Sequence, residues 1–100
     1  MRTVMVRYRT SEEQANANET LIRAVFSELR STAPKGIRYS SYRLADGVTF
    51  VHIATLESPD KNPLTVLPAF KAFQERIGDR CIEPPVVTEM SIVDSYGSIE

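Results

Sequence analysis

Two alternating runs, Ile37 to Leu44 and Val48 to Leu56, flank the dipeptide Asp46-Gly47. Alternation with a period of two marks pleated strands. Asp-Gly between two such runs signals a hairpin, because a two-residue type I′ turn needs positive φ at both central positions. With Asp46 and Gly47 as the loop, Ala45 opposes Val48. Arg43 then pairs with Phe50, Ser41 with His52 and Tyr39 with Ala54, while Tyr42 pairs with Val51 and Ser40 with Ile53 on the other face. A one-residue slip would exchange the two faces. This turn therefore decides which way His52, the only histidine, points.

The remaining elements fall around that hairpin. Thr3 to Thr10 alternates as a first strand, with Val4, Val6 and Tyr8 on one face. Ser11 stands three residues before Gln14, the capping-box spacing, and Glu12 and Glu13 suit a helix N-terminus. The helix so started carries the stripe Leu21, Ile22, Val25, Phe26 and Leu29, and Ala33-Pro34-Lys35-Gly36 stops it. Glu57 to Pro63 is turn chemistry. Asn62 caps a short turn with Pro63 in first position, and Pro68 starts the main piece of a second helix or marks a kink in it. Its buried stripe is Leu67, Phe70, Phe73 and Ile77, with Val66 just before, and Gly78 is expected as its C′ residue. After Pro84-Pro85, Val86 to Val93 is the last strand, and Asp94 to Glu100 a tail.

The order β-α-β-β-α-β in 100 residues is the α+β, ferredoxin-like arrangement: an antiparallel four-stranded sheet with two helices on one face. Residues 1–100 make one domain. Surface scaling gives such a chain roughly 5,700 Å² of exposed area, enough burial for one core and no second. Two helices cover one sheet face, yet bulky apolar groups occupy both. Tyr42, Leu44, Val51 and Ile53 stand opposite Ile37, Tyr39, Phe50 and Leu56. An uncovered apolar sheet face is a partner site, and a homodimer packed sheet against sheet is the simplest way to cover it.

Composition removes several classes of function. Twelve basic and 13 acidic side chains leave a net charge of −1, which points to no nucleic-acid partner. No apolar run reaches the roughly 18 residues of a membrane span, and the first ten residues alternate instead of forming a leader. The single cysteine, Cys81, gives no disulfide framework and fits a reducing, cytoplasmic setting. One His and one Cys make no metal cluster. Four glycines, Gly36, Gly47, Gly78 and Gly97, form no phosphate loop.

The element order, the chain length, strand three ending at Glu57 and the second helix with Phe70 and Phe73 together resemble the dimeric α/β-barrel superfamily. Within it, Asn62-Pro63-Leu64, Leu67-Pro68-Ala69-Phe70-Lys71-Ala72-Phe73 and Pro84-Pro85 look like segments of small bacterial members of the antibiotic-biosynthesis-monooxygenase-like and stress-responsive branches. The resemblance implies a dimeric α/β barrel with ligand clefts between each sheet and its own helices. It also implies one of that superfamily's activities: oxidation of polycyclic quinols or anthrones by O₂ with no cofactor, cleavage of haem, or isomerisation of small lactones. Monooxygenase members commonly carry a Trp at the end of strand three and a His in the second helix. Here Leu56 stands at the first place, and residues 62 to 78 contain no His.

His52 is the natural centre of any chemistry. It suits deprotonation of a phenol or enol near neutral pH, or a satisfied histidine in an interface. Its expected face neighbours Tyr39, Ser41 and Arg43 can bind and polarise an oxygenated ligand. Asn62 matches an Asn that some members use to position substrate oxygen, and also reads as a plain helix cap. Arg7, Arg9, Arg38 and Arg43 near the sheet call for acidic partners such as Glu57, Glu89 and Asp94. Two readings follow. One is a cofactor-independent monooxygenase-like enzyme with His52 as base or hydrogen-bonding residue and Tyr39 and Arg43 orienting a small aromatic ligand. The other is a non-catalytic barrel dimer that binds a small molecule or serves as an interaction unit.

Overall fold

The computed structural model describes residues 1–58 and 60–97. Pro59 of the expected turn and the last three residues of the expected tail lie outside them. The elements run β1 (Arg2–Thr10), α1 (Glu12–Thr32), β2 (Ile37–Arg43), β3 (Thr49–Leu56), a 3-10 turn (Pro63–Val66), α2 (Pro68–Gln74), α3 (Ile77–Arg80) and β4 (Cys81–Met90). The sheet order is β2-β3-β1-β4, with every neighbouring pair antiparallel. This is the ferredoxin-like topology expected from the element order.

Local chemistry explains where most elements begin. Ser11 is the N-cap of α1, and its hydroxyl accepts from the Gln14 N–H. Ala33 ends the helix in the left-handed region and returns its N–H to Leu29. Asn62 caps the 3-10 turn by accepting from Leu64 N–H at 3.0 Å, and Pro68 opens α2. One core lies between the sheet and the helices. Tyr8 and Phe50 meet Ala15, Ile22 and Val25 of α1, Leu64 and Leu67, and Phe70 and Phe73 of α2.

The hairpin register is the expected one, with Ser41 opposite His52, Tyr39 opposite Ala54 and Arg43 opposite Phe50. Its turn differs. Gly47 N–H returns to the Leu44 carbonyl at 2.9 Å, so the loop is a four-residue turn, and of its two central candidates only Gly47 takes positive φ. Asp46 serves instead through its side chain. Its carboxylate accepts from the N–H groups of Val48 and Thr49 and from the Thr49 hydroxyl. That fixes the register without a type I′ turn.

Two further expectations are corrected. Gly78 does not terminate α2. The helix stops at Gln74, Arg76 takes the left-handed conformation, and Gly78 sits within α3. The last strand is Cys81–Met90 and not Val86 to Val93, so Pro84 and Pro85 lie inside it. A strand tolerates proline where the missing N–H would face no neighbour. Strand β4 is an edge strand paired only to β1, and the pairing shifts between Arg7 and Arg9 and again before Thr10. Val66 and Ile82 are exposed, while Leu64 takes the core place that the stripe assigned to Val66.

Candidate functional site

Strand pairing carries the site. Val6 of β1 pairs with His52 of β3, and His52 pairs with Ser41 of β2, so the histidine stands in the middle of the sheet. Its side chain points to the helix side and is 3% exposed. A cavity of about 510 Å³ opens there between the sheet and the α2 region. Leu64, Phe70 and Phe73 form its apolar helical wall, and Val4 and Val6 part of its floor. His52, Tyr8, Tyr39, Asn62 and Gln74 are the polar groups in its lining. That size and composition, mostly apolar with a few convergent polar atoms, are those of a small-molecule site.

Every polar atom of His52 is engaged. Nε2 lies 2.7 Å from Tyr8 Oη, and Nδ1 lies 3.1 Å from Tyr39 Oη and within hydrogen-bonding distance of Ser41 Oγ. The rings of Tyr8 and Tyr39 both lie nearly parallel to the imidazole, with centroids 5.3 and 5.8 Å away. Phe73 tilts against it at 5.4 Å. Burial holds the imidazole neutral and lowers its pKa to about 4. The same burial raises the Tyr39 hydroxyl to about 12 and pushes Tyr8 higher still. Three aromatic side chains that each titrate near or above pH 6 in water are thus all neutral at pH 7.

The expected site residues divide. His52 and Tyr39 are brought together, with Ser41 beside them. Asn62 lines the same cavity while its Oδ1 serves as the cap. Arg43 stands elsewhere. It lines a neighbouring groove outside β2, donates to the Gly47 carbonyl, Asn16 and Glu19, and lies over the Phe50 ring at 5.6 Å. Tyr42 is 54% exposed and belongs to the opposite sheet face. Of the other arginines near the sheet, Arg9 pairs with Glu83 across β1 and β4 at 3.3 Å.

Two groups went unread in the sequence: Asn18 and Arg80. Asn18 is fully buried, and its Nδ2 donates to Tyr8 Oη at 2.8 Å while its Oδ1 accepts from Arg80 Nε at 3.0 Å. The signal was present. Extending the α1 stripe back one turn from Ile22 and Val25 lands on Asn18, a polar residue on a buried face, which requires an internal partner. Among the described residues no buried side-chain polar atom lacks one. Also among the described residues, no group of three His, Cys, Asp or Glu side chains converges to hold a metal ion. Cys81 is partly buried at the core edge, and burial raises its thiol pKa.

No family model matches the chain, and no curated protein is significantly similar to it. Solved structures do share its architecture. Rv0793 from Mycobacterium tuberculosis is 23% identical, with a TM-score of 0.75 over 96% of this chain and 98% of that one. A candidate antibiotic biosynthesis monooxygenase from Nitrosomonas europaea is 14% identical, with a TM-score of 0.78 over 94% of this chain and all (100%) of that one. Another from Caulobacter crescentus is 20% identical, with a TM-score of 0.69 over 93% and 90%. The chain therefore has the ferredoxin-like fold shared by antibiotic biosynthesis monooxygenase-like proteins, as its sequence pattern resembles.

Proposed function

We propose that this protein is a cofactor-independent, monooxygenase-like enzyme whose cavity takes a small aromatic or enolisable ligand. The observation that carries this reading is the neutral His52–Tyr39–Tyr8 cluster in the wall of a mostly apolar cavity of about 510 Å³. An aromatic ring fits against Phe70 and Phe73, and its oxygen meets the Tyr39 hydroxyl, which His52 bonds from behind, and the amide of Asn62. Hydrogen bonds in a dry site stabilise an enolate or phenolate far better than they do in water. The enolate is the species that O₂ oxidises. For an anthrone-like CH₂ group the balance is R₂CH₂ + O₂ → R₂C=O + H₂O, with the two carbon-bound hydrogens leaving in the water. With its pKa near 4, His52 is no resting cation and acts on the ligand oxygen through the Tyr39 hydroxyl that it bonds.

The working unit in this reading is a homodimer closed through the uncovered sheet face. The chain exposes 7113 Å², well above the roughly 5,700 Å² that scaling gives a compact monomer of its mass. Part of the excess is the exposed stretch with Val93 and Tyr96, and part is the sheet face bearing Met5, Val51, Ile53 and Val86. A standard interface takes about 800 Å² from each partner.

One feature favours a second reading, a binding protein without turnover. Both nitrogens of His52 are already occupied by the protein's own hydroxyls. Oxygen uptake and ligand binding with a panel of anthrones and quinols, wild type beside His52→Ala, separate the two. Turnover lost in a folded variant of unchanged oligomeric state supports the enzyme. Binding without oxygen uptake across the panel supports the binding protein, and turnover unaffected by His52→Ala removes the histidine from the mechanism.

A further inference from the structure

The hydrogen bonds around His52 form one chain, and its direction is set at the far end. Arg80 is buried and can only donate. Its other guanidinium nitrogens donate to the carbonyls of Phe73 and Glu75, at the close of α2, and its Nε donates to Asn18 Oδ1. The Asn18 amide is therefore turned with its oxygen to Arg80 and its NH₂ to Tyr8. The Tyr8 oxygen accepts that donor, which leaves the Tyr8 hydrogen for His52 Nε2, 2.7 Å away. A ring nitrogen that accepts carries no hydrogen. The neutral imidazole must then hold its single proton on Nδ1, beside Ser41 Oγ and Tyr39 Oη.

We propose that Asn18, oriented by Arg80, is a positioning residue that locks His52 as its Nδ1–H tautomer, so that the polar end of the cavity offers protons to an acceptor oxygen of the ligand. A free imidazole in water prefers its hydrogen on Nε2, so the fold selects the less favoured form. The proton on Nδ1 lets Ser41 and Tyr39 accept, so the Tyr39 hydrogen is not drawn to His52 and serves Ser41 or a ligand in the cavity that Tyr39 lines. The ligand class this suits is a ketone, enolate or phenolate, whose oxygen accepts from the Tyr39 hydroxyl.

Because His52 is the only histidine in the chain, ¹⁵N-histidine labelling of untagged protein reports this one ring. At pH 7 the expected spectrum has a hydrogen-bearing Nδ1 and a bare Nε2. A bare Nδ1, or an even mixture of the two forms, would overturn the lock. Asn18→Asp supplies the sharper contrast. A carboxylate keeps the Arg80 partner but only accepts, so it takes the Tyr8 hydrogen, and Tyr8 must then accept from Nε2–H. The tautomer should invert; its retention in folded Asn18→Asp sinks the proposal. If that variant does not fold, Tyr8→Phe removes the donor to Nε2, and a spectrum still showing pure Nδ1–H has the same force. The ligand consequence rests on the function proposed above and is read separately, with α-tetralone beside tetralin. Binding of the ketone about tenfold tighter fits the offered donor, and equal binding counts against it. Binding of neither overturns the ligand site of the preceding section and leaves the tautomer to the spectrum.

Discussion

Glu28 of α1 accepts a hydrogen bond through Oε1 from the backbone N–H of Ala69, 3.0 Å away and 41 residues later in the chain. Helix α2 begins at Pro68 with Leu67 at its cap position and has no side-chain cap of its own. Its first-turn N–H groups would otherwise turn to water, so a neighbouring helix supplies the missing acceptor. Since α2 carries Phe70 and Phe73, this bond also holds a wall of the cavity.

Glu28→Ala should therefore destabilise the protein by about 1 kcal/mol, the usual worth of an N-cap. Glu28→Gln keeps an acceptor and should cost less. Urea unfolding of the two variants checks the order, and equal losses would show that the carboxylate does something other than cap.

Stability should fall with acid in a window set by His52. Its folded pKa is about 4 against an ordinary 6.5. Between those values the unfolded chain binds a proton that the folded one refuses. The contribution is thus full above about pH 6.5 and is lost as pH falls toward 4, on the order of 3 kcal/mol in total and about 2 kcal/mol by pH 5. Unfolding free energies of wild type and His52→Gln, taken from pH 7.5 to 5, should diverge at the high end and converge at the low end. A constant gap between the two would contradict the buried neutral ring.

The hairpin turn should depend on Asp46 and Gly47 in different ways. Hydrogen bonds from Thr49 and the Val48 and Thr49 amides lower the Asp46 pKa to about 2. A depressed carboxylate keeps its contribution above its unfolded pKa and loses it as pH falls through the folded one. Amide exchange at Val48 and Thr49 should stay slow in wild type down to about pH 3 and speed up in Asp46→Ala at neutral pH. Gly47 has φ +79 and open space where a Cβ would stand, so Gly47→Ala should cost about 1 kcal/mol through backbone conformation alone. A D-alanine at that position should cost nothing.

The proposed dimer gives a further expectation. Val51→Asp with Ile53→Asp places two charges on the uncovered sheet face, away from the cavity. Sedimentation should report a monomer while the far-ultraviolet circular dichroism stays native. A wild type that sediments as a monomer at micromolar concentration would remove the dimer from the functional reading.

How much of the site was legible depended on the range of the interactions. The pairing of Ser41 with His52 is a two-strand relation across one short turn, and it followed from the period of two only on the condition that Asp46 and Gly47 lie at the centre of the turn, a register the structure keeps with a different turn. The turn's hydrogen-bonding, which uses the Asp46 carboxylate, left no separate mark because any turn of the same register would carry the same alternation. Gly78 looked like a helix end because glycine adopts left-handed conformations easily. The chain placed Arg76 there instead, and Arg80, 8% exposed, donates to the Phe73 and Glu75 carbonyls where α2 ends. Strand β4 was read too late because Pro84-Pro85 stops a central strand. That rule does not bind an edge strand, and which strand lies at the edge is a property of the whole sheet.

The amino-acid sequence by itself determined the order of strands and main helices and the caps at Ser11 and Asn62, while the face on which His52 stands was left to the hairpin register. All of these are encoded by period, turn chemistry and contacts within or between adjacent segments. Only the tertiary structure decided that Tyr8, Asn18 and Arg80 stand behind His52, that Glu28 caps α2, and that Arg43 is drawn off to Glu19. Those contacts join residues from 10 to 62 positions apart. Those around Asn18 exist because a buried polar group must find a partner among whatever the packed elements bring beside it. The periodicity of the chain shows that Asn18 will be buried; the partner that satisfies it is chosen when α1 and α3 close over the sheet.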